Sequence, residues 1–169
     1  MSRGALLVMV GSAIAACRPP ATPNGQERIT LQSDSSQYTV RLIDGMYRAT
    51  IGYTYTNRSG DAVSSTHCHT PPPPILEKKV GPDWVRAYDA VLLMCLTIPH
   101  FQIADGATYH GTLHLSVAQP GRNMLPALLV DPVSGTYRLR WRLRTGSDPE
   151  ARVASTVEAI SNEFVLIER

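Results

Sequence analysis

Alternation is the strongest regularity in the chain. In Tyr47-Arg48-Ala49-Thr50-Ile51-Gly52-Tyr53-Thr54-Tyr55 every odd position is apolar or aromatic and every even one polar or glycine. Tyr109-His110-Gly111-Thr112-Leu113-His114-Leu115-Ser116-Val117 repeats the pattern after Ala104-Asp105-Gly106, and Tyr137 to Arg144 repeats it after Ser134-Gly135. Successive side chains of a strand point to opposite faces, so a period of two marks a strand with one buried face and one wet face. Shorter strands are predicted over 28–32, 38–42, 62–67, 75–80, 84–86, 91–96 and 163–168. Turn-forming runs such as Asn57-Arg58-Ser59-Gly60-Asp61 separate them. Seven to nine short strands, with turns every 8–12 residues or so, predict an all-β fold, an antiparallel sandwich over residues 28–169. One exception is expected. Ser147-Asp148-Pro149-Glu150 reads as a helix start, with Val153, Val157 and Ile160 on one face of a short helix.

The first residues break the alternation. Met1-Ser2-Arg3 is a short cationic start, Gly4 to Ala13 an apolar run and Ile14-Ala15-Ala16 a small-residue cleavage site, the order of an export signal. About 13 apolar residues are too few to span a hydrocarbon core roughly 30 Å thick. Ile14-Ala15-Ala16-Cys17 resembles the lipobox of bacterial lipoproteins. The resemblance implies that residues 1–16 are removed and that Cys17 becomes the N-terminus. It implies too that Cys17 carries a diacylglyceryl group and, on its amine, an acyl chain such as palmitate. A plain cleaved signal and an uncleaved anchor are the alternatives. Two or three acyl chains hold a protein to a bilayer where one does not. Residues 17–27, rich in proline, then serve as a tether at the cell envelope. Position 18 is Arg, whereas Asp there implies retention at the inner membrane in such lipoproteins; the outer membrane is favoured if the cell has two.

Three cysteines in an exported chain leave one over. With Cys17 spent on lipid, Cys68 and Cys95 remain as a disulfide pair in an oxidising compartment. Closing a loop of roughly 27 residues would contribute about 3–4 kcal/mol in the chain-entropy model. The competing reading is a zinc or copper site drawn from His67, Cys68, His69, Cys95 and His100. Along an extended backbone His67 and His69 share one face and Cys68 takes the other, which favours the disulfide. No metal or other cofactor is expected. His110 and His114 share a face but lie about 13–14 Å apart along a strand, too far for one metal ion. Pro71 to Pro74 read as a stiff polyproline segment. Asn57-Arg58-Ser59 fits a glycosylation pattern and reads as a turn.

Charge is local, not global. The 169 residues carry a formal net charge of +2, and removing residues 1–16 takes away one arginine. So near a balance gives no electrostatic case for nucleic acid. With Leu139, Trp141 and Leu143 inward, however, Arg138, Arg140, Arg142 and Arg144 form an outward ladder at about 6.8 Å spacing. Such a face suits an anionic partner, whether phosphate, a carboxylate polymer or lipid headgroups. The other reading is a solubilising face paired with acids on neighbouring strands. No nucleophile elbow, HExxH, phosphate loop or dinucleotide fingerprint occurs, so neither catalysis nor a small-molecule substrate is expected.

Ser134-Gly135-Thr136-Tyr137-Arg138-Leu139-Arg140-Trp141 resembles the penultimate strand of an immunoglobulin-like domain, with Tyr137 as its tyrosine-corner residue. Tyr53 to Gly60, followed by Leu76-Glu77-Lys78 and Trp84, is similar to immunoglobulin-like domains of bacterial exported proteins. The bacterial intracellular proteinase inhibitor family is the nearest named group. The likeness spans about residues 46–144, with Ser161-Asn162-Glu163-Phe164 in a last strand. It implies a scaffold, and no inhibitory residue transfers by motif. The expectation is a lipid-anchored immunoglobulin-like module that binds an envelope protein or polyanion or plays a structural part. A proteinase inhibitor on the same scaffold is the alternative, and a metal-binding exported protein stands behind it.

Overall fold

The structure, a computed structural model, describes residues 29–66, 71–89, 100–122, 124–146 and 155–169. Every regular element among them is a strand. The first are β1 (Ile29–Ser33), β2 (Gln37–Ile43), β3 (Met46–Asn57), β4 (Val63–Thr66), β5 (Ile75–Val80), β6 (Asp83–Arg86) and β7 (Tyr88–Asp89). After them come β8 (His100–Ile103), β9 (Thr108–Ala118), β10 (Ala127–Leu128), β11 (Gly135–Thr145), β12 (Thr156–Ile160) and β13 (Phe164–Glu168). Hydrogen bonds link them in the order β6-β5-β11-β13-β2-β3-β9-β10-β7, with β1 on β3, β4 and β12 on β11, and β8 on β4. β2 is the bend in this ribbon. Its first half runs parallel to β13, Gln37 beside Val165, and its second half antiparallel to β3, Arg41 opposite Arg48. The ribbon thus folds into two layers, one centred on β3 and β9, the other on β11.

The alternating runs supply the inner faces. Tyr47, Ala49, Ile51, Tyr53 and Tyr55 of β3 are buried, as are Leu113, Leu115 and Val117 of β9 and Tyr137, Leu139, Trp141 and Leu143 of β11. Trp141 is where the layers meet. Its ring lies 5.2 Å from Tyr55 and 5.5 Å from Tyr53, edge to face in both cases, with Tyr109 and Phe101 at 5.8 and 5.9 Å. Such geometry adds about 0.5–1.5 kcal/mol per pair beyond the area buried. Gly111 makes room for it. It lies opposite Tyr53 in register, and a Cβ there would strike the rings of Tyr53 and Tyr109.

The far end of β11 carries the tyrosine corner that the sequence places there. The Tyr137 hydroxyl donates to the Val133 carbonyl at 2.6 Å, and the ring stacks on Phe164. Lys78, beside Tyr137 on β5, turns its ammonium over that ring at 5.8 Å and donates to the Pro132 carbonyl. Burial pushes its pKa down, while Asp131 pulls the other way. Asn57 closes β3 as a hub. Its amide donates to the carbonyls of Asp61 (2.8 Å) and Ile103 (3.0 Å), and its oxygen accepts from the Ser59 amide and hydroxyl. The side chain is fully buried and satisfied, which makes this Asn-Arg-Ser a structural turn.

One expectation fails. Residues 156–160 are not helix: they form β12, whose Val157 and Ala159 turn inward while Glu158 and Ile160 face out. Pairing with β11 outweighs the helical spacing of Val157 and Ile160, as sheet context commonly outweighs propensity; Ser147 to Glu150 and Val153 lie outside the described residues. The short strands β7, β8 and β10 lack a long enough alternation to be read in advance. The strand predicted over 91–96 lies outside the described residues. Asp44 and Gly45, both at positive φ, turn β2 into β3 as a two-residue hairpin.

Burial sets the response to alkali. It pushes the Tyr55 phenol up to about 12, and pushes Tyr53 and Tyr137 up as well, Tyr109 adding to the effect at Tyr53. A phenol whose folded pKa lies above its unfolded value of about 10 keeps its proton longer when folded. Stability is therefore intact below about pH 10 and falls as pH rises toward 12, at about 4 kcal/mol per unit for three such groups. Denaturant titrations at stepped pH, followed by tyrosinate absorbance, should show ionisation arriving together with unfolding. Asn57→Ala should cost about 1–3 kcal/mol in the same assay at neutral pH, because it takes the amide donor from the buried Ile103 carbonyl and loosens the 59–61 turn.

Candidate functional site

The outer face of β11 comes first, since alternation puts Arg138, Arg140, Arg142 and Arg144 there together. Register brings two of them an acid: β5 sets Glu77 opposite Arg138, and β12 sets Glu158 opposite Arg142. The Glu77 side chain is only 5% exposed. One of its oxygens lies 2.8 Å from both Nε and Nη2 of Arg138. The other lies 2.8 Å from Nε of Arg140, off the line of a hydrogen bond, so that contact is an ion pair alone. Glu158 bonds Nε of Arg142 and stands 3.9 Å from Nη1 of Arg140. The Arg138 guanidinium lies 4.3 Å from the centre of the Trp84 ring on β6, and Lys79 joins that ring and Glu163. Arg144 has an interaction partner too.

The ladder is thus not the open cationic stripe that alternation alone suggests. Arg138 and Arg140 are 21% and 24% exposed, against 57% for Arg142. Their charge is met within the sheet by two glutamates, the arrangement the second sequence reading describes. Sequence spacing gives the face of each arginine but not which strand lies beside it, and Glu77 sits 61 residues from Arg138.

The other layer differs. Its outer face, from β3 and β9, is rich in hydroxyls and carries His110, whose Nδ1 lies 3.0 Å from the Thr54 hydroxyl. Where β2 joins it, Thr39, Arg41, Arg48, Thr50, His114 and Ser116 line a shallow depression of about 440 Å³. Arg41 and Arg48 are exposed and directly opposite one another, and Ser116 continues their row across β9. Among the described residues neither makes an ion pair or a side-chain hydrogen bond. This cluster escaped the sequence reading, although a signal was present: a two-residue turn at Asp44-Gly45 pairs 43 with 46 and hence 41 with 48. His110 and His114 share the outer face as expected, four residues apart on β9.

Cys17, Cys68, Cys95, His67 and His69 lie outside the described residues. Among the described residues no group of three or more His, Cys, Asp or Glu is placed to hold a metal ion. His100 opens β8 and is exposed.

Glu77 and Arg142 separate the structural from the peripheral part of the ladder. Glu77→Gln removes a buried charge that two half-buried arginines share and should lower stability by about 2–4 kcal/mol. Arg142→Gln breaks an exposed pair and should cost less than about 1 kcal/mol. Urea unfolding of both variants at neutral pH gives the comparison.

No family model matches the chain, and no curated protein matches it. Among solved structures it is similar to the ASH / PapD-like domain of human CEP192 (PapD-like domain 7), at 13% sequence identity and a TM-score of 0.34, with 95% of this chain and 99% of that one covered.

Proposed function

We propose that the protein is an exported lipoprotein whose immunoglobulin-like β-sandwich serves the cell envelope as a binding or structural module without catalytic activity. The observation that carries this reading is the position of Cys17 relative to the fold. An apolar run ends at that cysteine, a proline-rich stretch follows, and β1 begins at Ile29. Twelve residues of extended chain reach about 40 Å, enough to hold a sandwich clear of a bilayer while its faces stay accessible. The tyrosine corner at Tyr137 and the run of β2 beside β13 support the immunoglobulin-like assignment. Arg18 after the acylated cysteine favours the outer membrane in a cell that has two.

Intact mass spectrometry of protein extracted from membranes should show loss of residues 1–16 together with added acyl mass. Cys17→Ala should abolish both the processing and the membrane fraction. A wild-type chain of unmodified mass in the soluble fraction would sink the reading. A tight complex with a protease would turn it toward the inhibitor alternative.

A further inference from the structure

Cross-strand neighbours of like charge destabilise a sheet, and natural sheets usually set an opposite charge between or beside them. The β11 face obeys this rule: its arginines enclose Glu77 and Glu158. The β2–β3 pair breaks it. Arg41 and Arg48 stand directly opposite each other, both exposed, with no carboxylate among the residues lining the depression they share. Besides Ala49 and Leu115, what lines it is a set of hydrogen-bond donors: the hydroxyls of Thr39, Thr50 and Ser116 and the imidazole of His114. His114 lies opposite Thr50, and Ser116 opposite Arg48, so the donors are held by the longest ladder of the fold, β3 with β9. The recess is shallow and polar, unsuited to an apolar ligand.

The geometry points to an oxyanion site: Arg41 and Arg48 together take one phosphate group, with Ser116 beside Arg48 in register and His114, Thr39 and Thr50 one step along the strands donating to its water shell or to the group it is attached to. Two guanidinium forks at adjacent positions match the several acceptor oxygens of a phosphate better than a single carboxylate. Bound anion would also cancel the repulsion that the empty pair carries. Free inorganic phosphate and the headgroup of a phospholipid offer this same chemistry. The site lies about 30 Å along β3 from Asn57, beside which β1 starts. A domain lying with this sheet against a membrane would bring it to the headgroups. The inference names a ligand class for the binding role proposed above and rests on that reading for the role alone.

The test uses the full chain and the double variant Arg41→Gln/Arg48→Gln, melted in sodium phosphate and in sodium chloride at matched ionic strength, because screening alone affects exposed charges. Wild type should show a saturable rise in melting temperature, roughly 3–6 °C at about ten times the half-saturating phosphate concentration. The double variant should lose it, His114→Ala should weaken it, and Arg58→Gln, at the other end of β3, should keep it. In chloride Arg41→Gln should melt no lower than wild type; a lower value would mean the arginine has a structural partner and would overturn the site.

A second arm sediments both chains with phosphatidylcholine vesicles, with and without phosphatidylglycerol. A preference for phosphatidylglycerol that the double variant lacks assigns the phosphate to a headgroup. A phosphate shift without that preference assigns it to the free ion. Equal shifts in phosphate and chloride, with no vesicle preference, overturn the inference. An unacylated Cys17 would sink the anchor and leave the phosphate shift untouched, so the two readings fail separately.

Discussion

Trp141 meets Tyr53 and Tyr55 edge-on across the two layers, and the positions of most other side chains follow from that meeting. A strand shifted by one residue would turn every side chain to the other face. The indole on β11 and the phenols on β3 therefore fix both strands at once: odd positions in, even positions out. Phe101 and Tyr109 complete the ring cluster from β8 and β9. Gly111 is the one position on that inner row with no side chain of its own, and the Tyr53 ring uses the space. Once the odd positions are fixed, all four arginines of β11 must face outward. Whether they are open or paired is then decided by the strands on either side.

The two outer faces resolve that question in opposite ways. On β11 the guanidinium groups close around Glu77, whose near-complete burial is tolerable only because two cations share it. Removing water from an ion is costly, and the pairing of Glu77 with Arg138 and Arg140 offsets that cost. On β2 and β3 the arginines stay exposed, where hydration keeps repulsion small. The first arrangement reads as architecture, while the second keeps its donors available. Outward direction alone does not separate them, since each face carries arginines at solvent-facing positions.

How far the sequence could be read depended on whether a feature was local. The long strands β3, β9 and β11 were legible because each carries its own period of two over eight or nine residues, and the residues named as inward are buried. Tyr137 was legible because its corner is made within four residues, to Val133. β12 was not, because Val157 and Ile160 keep a helical spacing after Ser147 to Glu150, and only pairing with β11 makes residues 156–160 a strand. Glu77 and Glu158 were invisible as partners of the ladder, since strand adjacency is a property of topology. The Arg41–Arg48 pair falls between these cases: it follows from a two-residue turn, but only when Asp44-Gly45 is taken as a hairpin.

β1 has a mechanical consequence. It lies antiparallel along the last five residues of β3, Ile29 beside Asn57 and Ser33 beside Tyr53. Tension applied through the residues before Ile29, directed along the strand, loads these five pairings in shear, all at once, instead of peeling them one by one. The strand end that takes the force sits against Asn57, whose amide ties three separate segments together. A chain tugged from its N-terminal side would transmit the load through β1 directly into β3, at the centre of the first layer.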